Sequence, residues 1–221
     1  MPPTRRLRLV FLFRDQTHHP EEGPREPQDI SLGTLFYIMA QIIITLPDGA
    51  QKNFEQGVTL AEIAQSLSNR LAKEALIARV NGKLRDLSAR LEENASVEFL
   101  TFDSEEGRDV FRHSSSHLMA HAVQELFPET KFGIGPSIEN GFYYDLDRPA
   151  GFTEDDLAAI ENKMRELAAK RIPFKRSEIS RSEARERFEK RSEKYKVELI
   201  EGIEDDKVSI YELGTFVDLC T

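Results

Sequence analysis

Cysteine is almost absent: the 221 residues contain one, Cys220. A lone cysteine excludes an internal disulfide framework and suits a reducing compartment, so a cytoplasmic location is expected. Positive charge is also in deficit, with 30 Lys and Arg against 39 Asp and Glu, for a formal net charge of -9. That balance argues against bulk, non-specific nucleic-acid binding but leaves room for a local basic face. Long apolar runs are missing too. The run Leu9 to Phe13 follows Arg5, Arg6 and Arg8 but is too short for a secretory core, and Arg14 and Asp15 cut it off. The stretch Ile30 to Leu46 is interrupted by Ser31, Gly33, Thr34, Gln41 and Thr45. No membrane span of about twenty apolar residues can be built from it. No Gly-x-x-x-x-Gly-Lys-Ser/Thr loop occurs, which excludes a P-loop GTPase. No serine has the Gly-x-Ser-x-Gly setting of a hydrolase nucleophile.

What is present is the composition of a globular chain, 39% apolar and 31% charged, at a length that favours two modest domains. Residues 1–39 are expected to be either a poorly ordered extension, with Met39 a candidate start, or a targeting segment of no recognised pattern. From Gln41 the pattern sharpens. Ile42 to Leu46 reads as a strand, Pro47-Asp48-Gly49 as a turn, and Gln51 to Phe54 as the return strand of a hairpin. Thr59 stands three residues before Glu62, the spacing of a capping box, and Leu60, Ile63, Ala64 and Leu67 follow at helical period. Ala75 to Val80 and Val97 to Phe102 read as further strands, with Asn81-Gly82 as a tight turn. Hairpin, helix, then more strands is a β-grasp plan over 40–102, in which one helix covers one sheet face.

The remainder, 103–221, is dominated by His113, His117 and His121, spaced four apart; His18 and His19 fall in the extension. Residues four apart on a helix share a face, so His113 and His117 can aim their imidazoles at one point. Val110, Leu118, Ala122, Val123 and Leu126 supply an apolar side, and Phe127-Pro128 ends the helix. The pair is compatible with a packed histidine face, with a zinc-type site in which Cys220 is a third ligand, and with a metal-free site that orients or deprotonates water. Further on, Lys163 to Lys196 holds roughly twice as many basic as acidic side chains, on two expected helices opened by Thr153 and Ser180 and separated by Arg171 to Phe174.

Two sets of residues carry a resemblance. Ile44-Thr45-Leu46-Pro47-Asp48-Gly49 and Val80-Asn81-Gly82 look like a TGS domain, a β-grasp module of RNA-associated proteins. Arg112-His113-Ser114-Ser115-Ser116-His117-Leu118, the run Gly135 to Asp145, Ser192 to Val197, and Val217-Asp218-Leu219-Cys220 follow in order. This series resembles the editing domain of bacterial threonyl-tRNA synthetases, and the likeness runs from about Ile42 to Cys220. The resemblance implies an α+β chain: a TGS β-grasp domain, then an α+β editing domain with a His-x-x-x-His helix. It implies hydrolysis of mischarged seryl-tRNA at the 3′ end of the threonine tRNA. The catalytic set it implies is His113, His117, Lys196, Asp218 and Cys220, with Tyr144 and His121 at the substrate. No cofactor is implied for this region, although His113, His117 and Cys220 form a candidate zinc set. ATP, Mg and a further Zn belong to the catalytic domain of the parent enzyme, a homodimer. The family pattern places an arginine where Thr221 stands and a histidine four positions after the cysteine, so a C-terminally truncated site is expected. The alternatives are a free-standing trans-editing deacylase and a non-catalytic RNA-binding module.

Overall fold

The computed structural model describes residues 40–220. The expectations for residues 1–39 (the extension, the start at Met39, and His18 with His19) and for Thr221 lie outside the described residues.

The first strands, β1 (Gln41–Thr45) and β2 (Gln51–Glu55), form an antiparallel hairpin whose turn places Gly49 at φ +82°. Alternation in β1 sends Ile42 and Ile44 inward. A short strand β3 (Val58–Thr59) leads into α1 (Leu60–Leu67), and the capping box forms as the spacing predicts. The Glu62 amide donates to Thr59 Oγ1 at 3.2 Å, and the Thr59 amide donates to a Glu62 carboxylate oxygen at 2.8 Å. A short helix α2 (Asn69–Glu74) precedes β4 (Ile77–Val80), β5 (Lys83–Arg85), β6 (Arg90–Leu91) and β7 (Ala95–Leu100). Between β4 and β5, Asn81 and Gly82 both adopt positive φ, as a two-residue hairpin turn of this twist demands. The sheet runs β2-β1-β7-β4-β5, with β1 and β7 parallel. Ile44, Leu60, Ile63, Ala78 and Val97 meet beneath α1 as its core. This is the β-grasp arrangement.

The 22-residue helix α3 (Glu105–Leu126) starts four residues after β7, capped by Ser104, whose hydroxyl accepts from the Gly107 amide at 3.0 Å. Its first turn lies against the end of β7 so closely that a Cβ at Gly107 would come within 1.8 Å of the Thr101 carbonyl oxygen. Arg79 of β4 reaches across to both Glu98 and Glu106, joining sheet and helix. After α3 come four two-residue strands, β8 (Lys131–Phe132), β9 (Ser137–Ile138), β10 (Gly141–Phe142) and β11 (Leu146–Asp147), paired as β8 with β11 and β9 with β10. Then follow α4 (Glu154–Ala169), β12 (Phe174–Ser180), α5 (Arg181–Lys190), α6 (Lys194–Glu201), β13 (Lys207–Leu213) and β14 (Phe216–Cys220).

Strands β12, β13 and β14 make an antiparallel sheet in that order. Register and period decide what each face carries. Val208, Ile210, Val217 and Leu219 pack against Ala184, Phe188 and Ile200 of α5 and α6. The opposite face carries Tyr211, Phe216, Asp218 and Cys220 toward α3. The two helices expected over Lys163 to Lys196 are therefore only part of that stretch. A seven-residue strand lies between them, and Lys196 sits on a third helix, α6. The strand is hard to read because it is a sheet edge rich in charge, Phe-Lys-Arg-Ser-Glu-Ile-Ser, with little buried alternation. No helix among the described residues is long and apolar enough to cross a membrane.

Candidate active site

Two elements bring the chemistry together. Helix α3 presents His113 and His117 one turn apart, and β14 presents Asp218 and Cys220, which share a face because they are two residues apart on a strand. The two imidazoles meet edge to face, with centroids 4.5 Å apart and planes at 89°, and their Nε2 atoms are 3.0 Å apart. His113 Nε2 also lies 2.9 Å from Cys220 Sγ. His117 Nδ1 lies 2.8 Å from Asp218 Oδ2, with both side chains almost completely buried.

The hydrogen-bond partners assign the protons. An ionised carboxylate only accepts, so His117 Nδ1–H donates to Asp218 and leaves a lone pair on Nε2. His113 Nε2–H then donates into the space shared by His117 Nε2 and Cys220 Sγ. Burial lowers the pKa of His113, and the neighbouring His117 lowers it further, which favours a neutral His113 ring.

Asp218 is the hub. Burial alone would raise its pKa, but the His117 hydrogen bond and the Lys196 charge prevail and hold it at about 2. Lys196 Nζ touches Asp218 Oδ1 and donates to Tyr144 Oη at 3.2 Å, while Tyr144 donates its own proton to Asp218 Oδ2 at 2.5 Å. Burial, then the adjacent Asp218 charge, raises the Tyr144 phenol well above 10, so it remains a donor. Burial and Asp218 likewise raise the Cys220 thiol to about 11. A neutral thiol in this setting lines a pocket better than it attacks a carbonyl.

Of the sequence-predicted residues, His113, His117, Tyr144, Lys196, Asp218 and Cys220 converge. His121 does not. Each step of four residues turns the helix by about 40°, and eight residues advance it by about 12 Å, so a third histidine drifts off the face. His121 stacks on Phe216 at 6.1 Å, and its Nε2 contacts Glu125 at 3.2 Å and Thr215 Oγ1 at 3.4 Å. Sequence reasoning missed Tyr211, which stacks on His117 with centroids 5.7 Å apart and planes at 14°. It stands opposite Asp218 in the β13–β14 register, a signal that needs the strand pairing to be known.

Two small residues fix the aromatic wall. Buried Ser116 places its hydroxyl 2.8 Å from the His113 carbonyl and 2.7 Å from the Gly135 carbonyl, tying α3 to the segment before β9. A Cβ at Gly135 would lie 2.2 Å from the Tyr144 ring. Gly135→Ala is therefore expected to cost about 1–3 kcal/mol and to push Tyr144 off Asp218. Urea unfolding measures the loss, and a wild-type midpoint would show that the ring has room to yield.

The expected basic strip is mostly compensated. Lys163 and Lys170 pair with Glu166, Arg165 with Glu161, Arg176 with Glu178, Arg187 with Glu212, and Lys190 with Glu186. A cavity of about 800 Å³ is lined in part by Ile134, Leu146, Tyr195, Leu199, Ile203 and Leu219, and by no member of the cluster. Leu219 alternates with Asp218 and Cys220, so it faces away from the histidines. As a metal-binding arrangement, His113, His117 and Cys220 each offer one donor atom, all within 4.8 Å of one another.

Residues 42–101 match the TGS domain family. Beyond that module, the chain is similar to threonine--tRNA ligases. It is 51% identical over 178 residues to that of Symbiobacterium thermophilum, covering 80% of this chain and 27% of the relative. It is 50% identical over 184 residues to that of Chlorobaculum tepidum, covering 82% and 28%. With that of Parabacteroides distasonis the identity is 50% over 180 residues, covering 81% and 28%. The chain thus corresponds to a little over a quarter of these relatives.

Proposed function

We propose that this chain, a relative of part of threonine--tRNA ligase, hydrolyses seryl esters at the 3′ end of the threonine tRNA. Domain 40–102 is the TGS module, 103–221 is the hydrolytic domain, and 1–39 precedes both as an extension. The observation that carries this reading is the buried cluster in which His117, Tyr144 and Lys196 all bind Asp218 while His113 bridges to Cys220. The carboxylate on His117 Nδ1 leaves its Nε2 as the acceptor nitrogen, turned toward His113 and the site, which is the arrangement a general base uses.

The reaction uses the chain's own groups. A water held at the histidine pair gives its proton to His117 Nε2, the position left basic by the Nδ1–Asp218 hydrogen bond. Its oxygen attacks the ester carbonyl. Asp218 stabilises the imidazolium that forms, and the Lys196 ammonium faces the negative charge on the tetrahedral oxygen. Collapse expels the ribose hydroxyl, which recovers the proton from His117. No cofactor enters these steps.

Such a site answers a limit of binding. Serine lacks one methyl group of threonine, and a pocket discriminates one methyl(ene) by only about 1–3 kcal/mol. A second site that admits serine and excludes threonine by size raises fidelity beyond that. The parent enzyme's aminoacylation, with its ATP, Mg and Zn, and its dimerisation fall to the rest of a longer protein in the cytoplasm. The mutual pairing of basic and acidic side chains on α4 and α5 speaks against a purely electrostatic RNA-binding module. The test is to incubate the chain with seryl- and threonyl-tRNA of the threonine acceptor and follow the ester. Seryl-tRNA should decay well above the spontaneous rate while threonyl-tRNA survives. Equal decay of both, or of neither, would overturn the reading.

A further inference from the structure

We infer that Arg176 of β12 is the phosphate contact of the hydrolytic site, holding the 5′-phosphate of the nucleotide whose 3′ end carries the seryl ester. This rests on the proposed function and extends it from the ester to the nucleotide that presents it.

Register puts Arg176 on the face of the sheet that carries the site. Arg176 stands opposite Tyr211 across β12 and β13, and Tyr211 stands opposite Asp218 across β13 and β14. Directly opposed residues share a sheet face, and Tyr211 stacks on His117, so this row faces the histidine pair. The guanidinium leans toward the next row. Its Nη2 donates to Ser209 Oγ at 2.8 Å, and Ser209 stands opposite Cys220. Opposed Cβ atoms are about 5 Å apart, which brings the guanidinium within roughly 8 Å of the Cys220 thiol. Electrostatics agree: burial and then Asp218 raise the pKa of that thiol, while Lys196 and Arg176 pull it down. Cys220 in turn lies 2.9 Å from His113 Nε2. In a nucleotide acylated at its 3′ oxygen, six covalent bonds separate the ester carbonyl carbon from the 5′-phosphorus. At about 1.5 Å per bond that path spans roughly 7 Å when extended. A carbonyl seated at the histidine pair therefore brings its own phosphate within reach of Arg176.

The guanidinium also has donors to give. Its bonds to Ser209 and to Glu178, the latter at 2.7 Å, both leave from Nη2. Nη1 and Nε make no hydrogen bond among the described residues, and a guanidinium fork matches two phosphate oxygens. The pair with Glu178 is exposed, at 39% and 52% of the two side chains, and exposed ion pairs hold weakly. Glu178 can turn into water and yield its place. Lys196, the other cation beside Cys220, is already buried against Asp218 and Tyr144. Lys175 alternates with Arg176 on the strand and points to the opposite face.

Two probes separate this contact from the chemistry. Both are 3′-deoxy-3′-(seryl)aminoadenosine, with an amide in place of the ester, one bearing a 5′-phosphate and one without it. Calorimetric titration of the chain should show the phosphorylated probe binding about tenfold tighter or more, an advantage that shrinks with added salt. Arg176→Gln should bring the two affinities together. Arg176→Lys keeps the charge but loses the fork, so it should retain part of the advantage. Glu178→Gln removes the competing anion and should enlarge it. Equal affinities for the wild type, no binding of either probe, or an advantage that survives in Arg176→Gln would overturn the inference. An Arg176-dependent advantage in a chain that leaves seryl-tRNA intact would sink the hydrolytic reading and keep the phosphate contact. A chain that hydrolyses seryl-tRNA while binding both probes alike would do the reverse.

Discussion

His117→Ala should lower seryl-tRNA hydrolysis by about 10²–10⁴-fold while the chain stays folded. The rate loss follows from position. His117 alone combines an acceptor nitrogen turned toward the site with a donor nitrogen on a buried carboxylate. The fold should survive because Asp218 keeps Tyr144 and Lys196 as partners and is not left as an isolated buried charge. Single-turnover deacylation and circular dichroism on the same preparation separate the two effects. Hydrolysis at the wild-type rate would remove His117 from the mechanism.

Asp218→Asn should be the most destabilising of the near-isosteric changes. Asparagine preserves shape but removes the charge opposite Lys196, whose side chain is 3% exposed. An unpaired buried ammonium costs about 3–5 kcal/mol. The amide also ceases to dictate which His117 nitrogen carries the proton, so hydrolysis should fall along with stability. The two losses can be uncoupled. Adding Lys196→Met to Asp218→Asn removes the stranded charge, so stability should recover while hydrolysis does not. Recovery of both would remove Asp218 and Lys196 alike from the chemistry and leave them a role in the fold alone.

The pH dependence of unfolding carries the same signature. The Asp218 pKa is depressed from 3.8 to about 2 in the folded chain. Its contribution is thus fully present above the unfolded-state pKa, near 4, and is lost as pH falls toward 2. The size is on the order of 2 kcal/mol. Urea midpoints between pH 5 and 2.5 should fall more steeply for the wild type than for the double variant.

Short-range chemistry was the legible part of this protein. Pro47-Asp48-Gly49 and Asn81-Gly82 announce their turns because few residues tolerate the φ values found there, and Thr59 with Glu62 announces a helix start. These are interactions within four residues, so the order of residues contains them. The His113–His117 pairing is legible for the same reason, being set by helical period. The third histidine shows where that rule stops: His121 follows the same spacing, yet the accumulated turn and rise put it against Phe216 and Glu125. The charged strand β12 was masked because an edge strand has no buried alternation to betray it.

The sequence by itself determined the β-grasp order, the helix that carries two histidines, and the residue types able to do acid–base chemistry. Only the tertiary structure decided which of them meet. Asp218 and Cys220 stand more than a hundred residues from their histidine partners, and Lys196 reaches Asp218 from α6. Such contacts depend on sheet register and helix packing, which fix the distance between residues far apart in the chain. The protonation states follow the same division. The sequence supplies a carboxylate, a phenol and a thiol with ordinary affinities; burial opposes ionisation of the carboxylate, His117 and Lys196 overcome that and keep it charged, and burial beside that charge keeps the other two neutral.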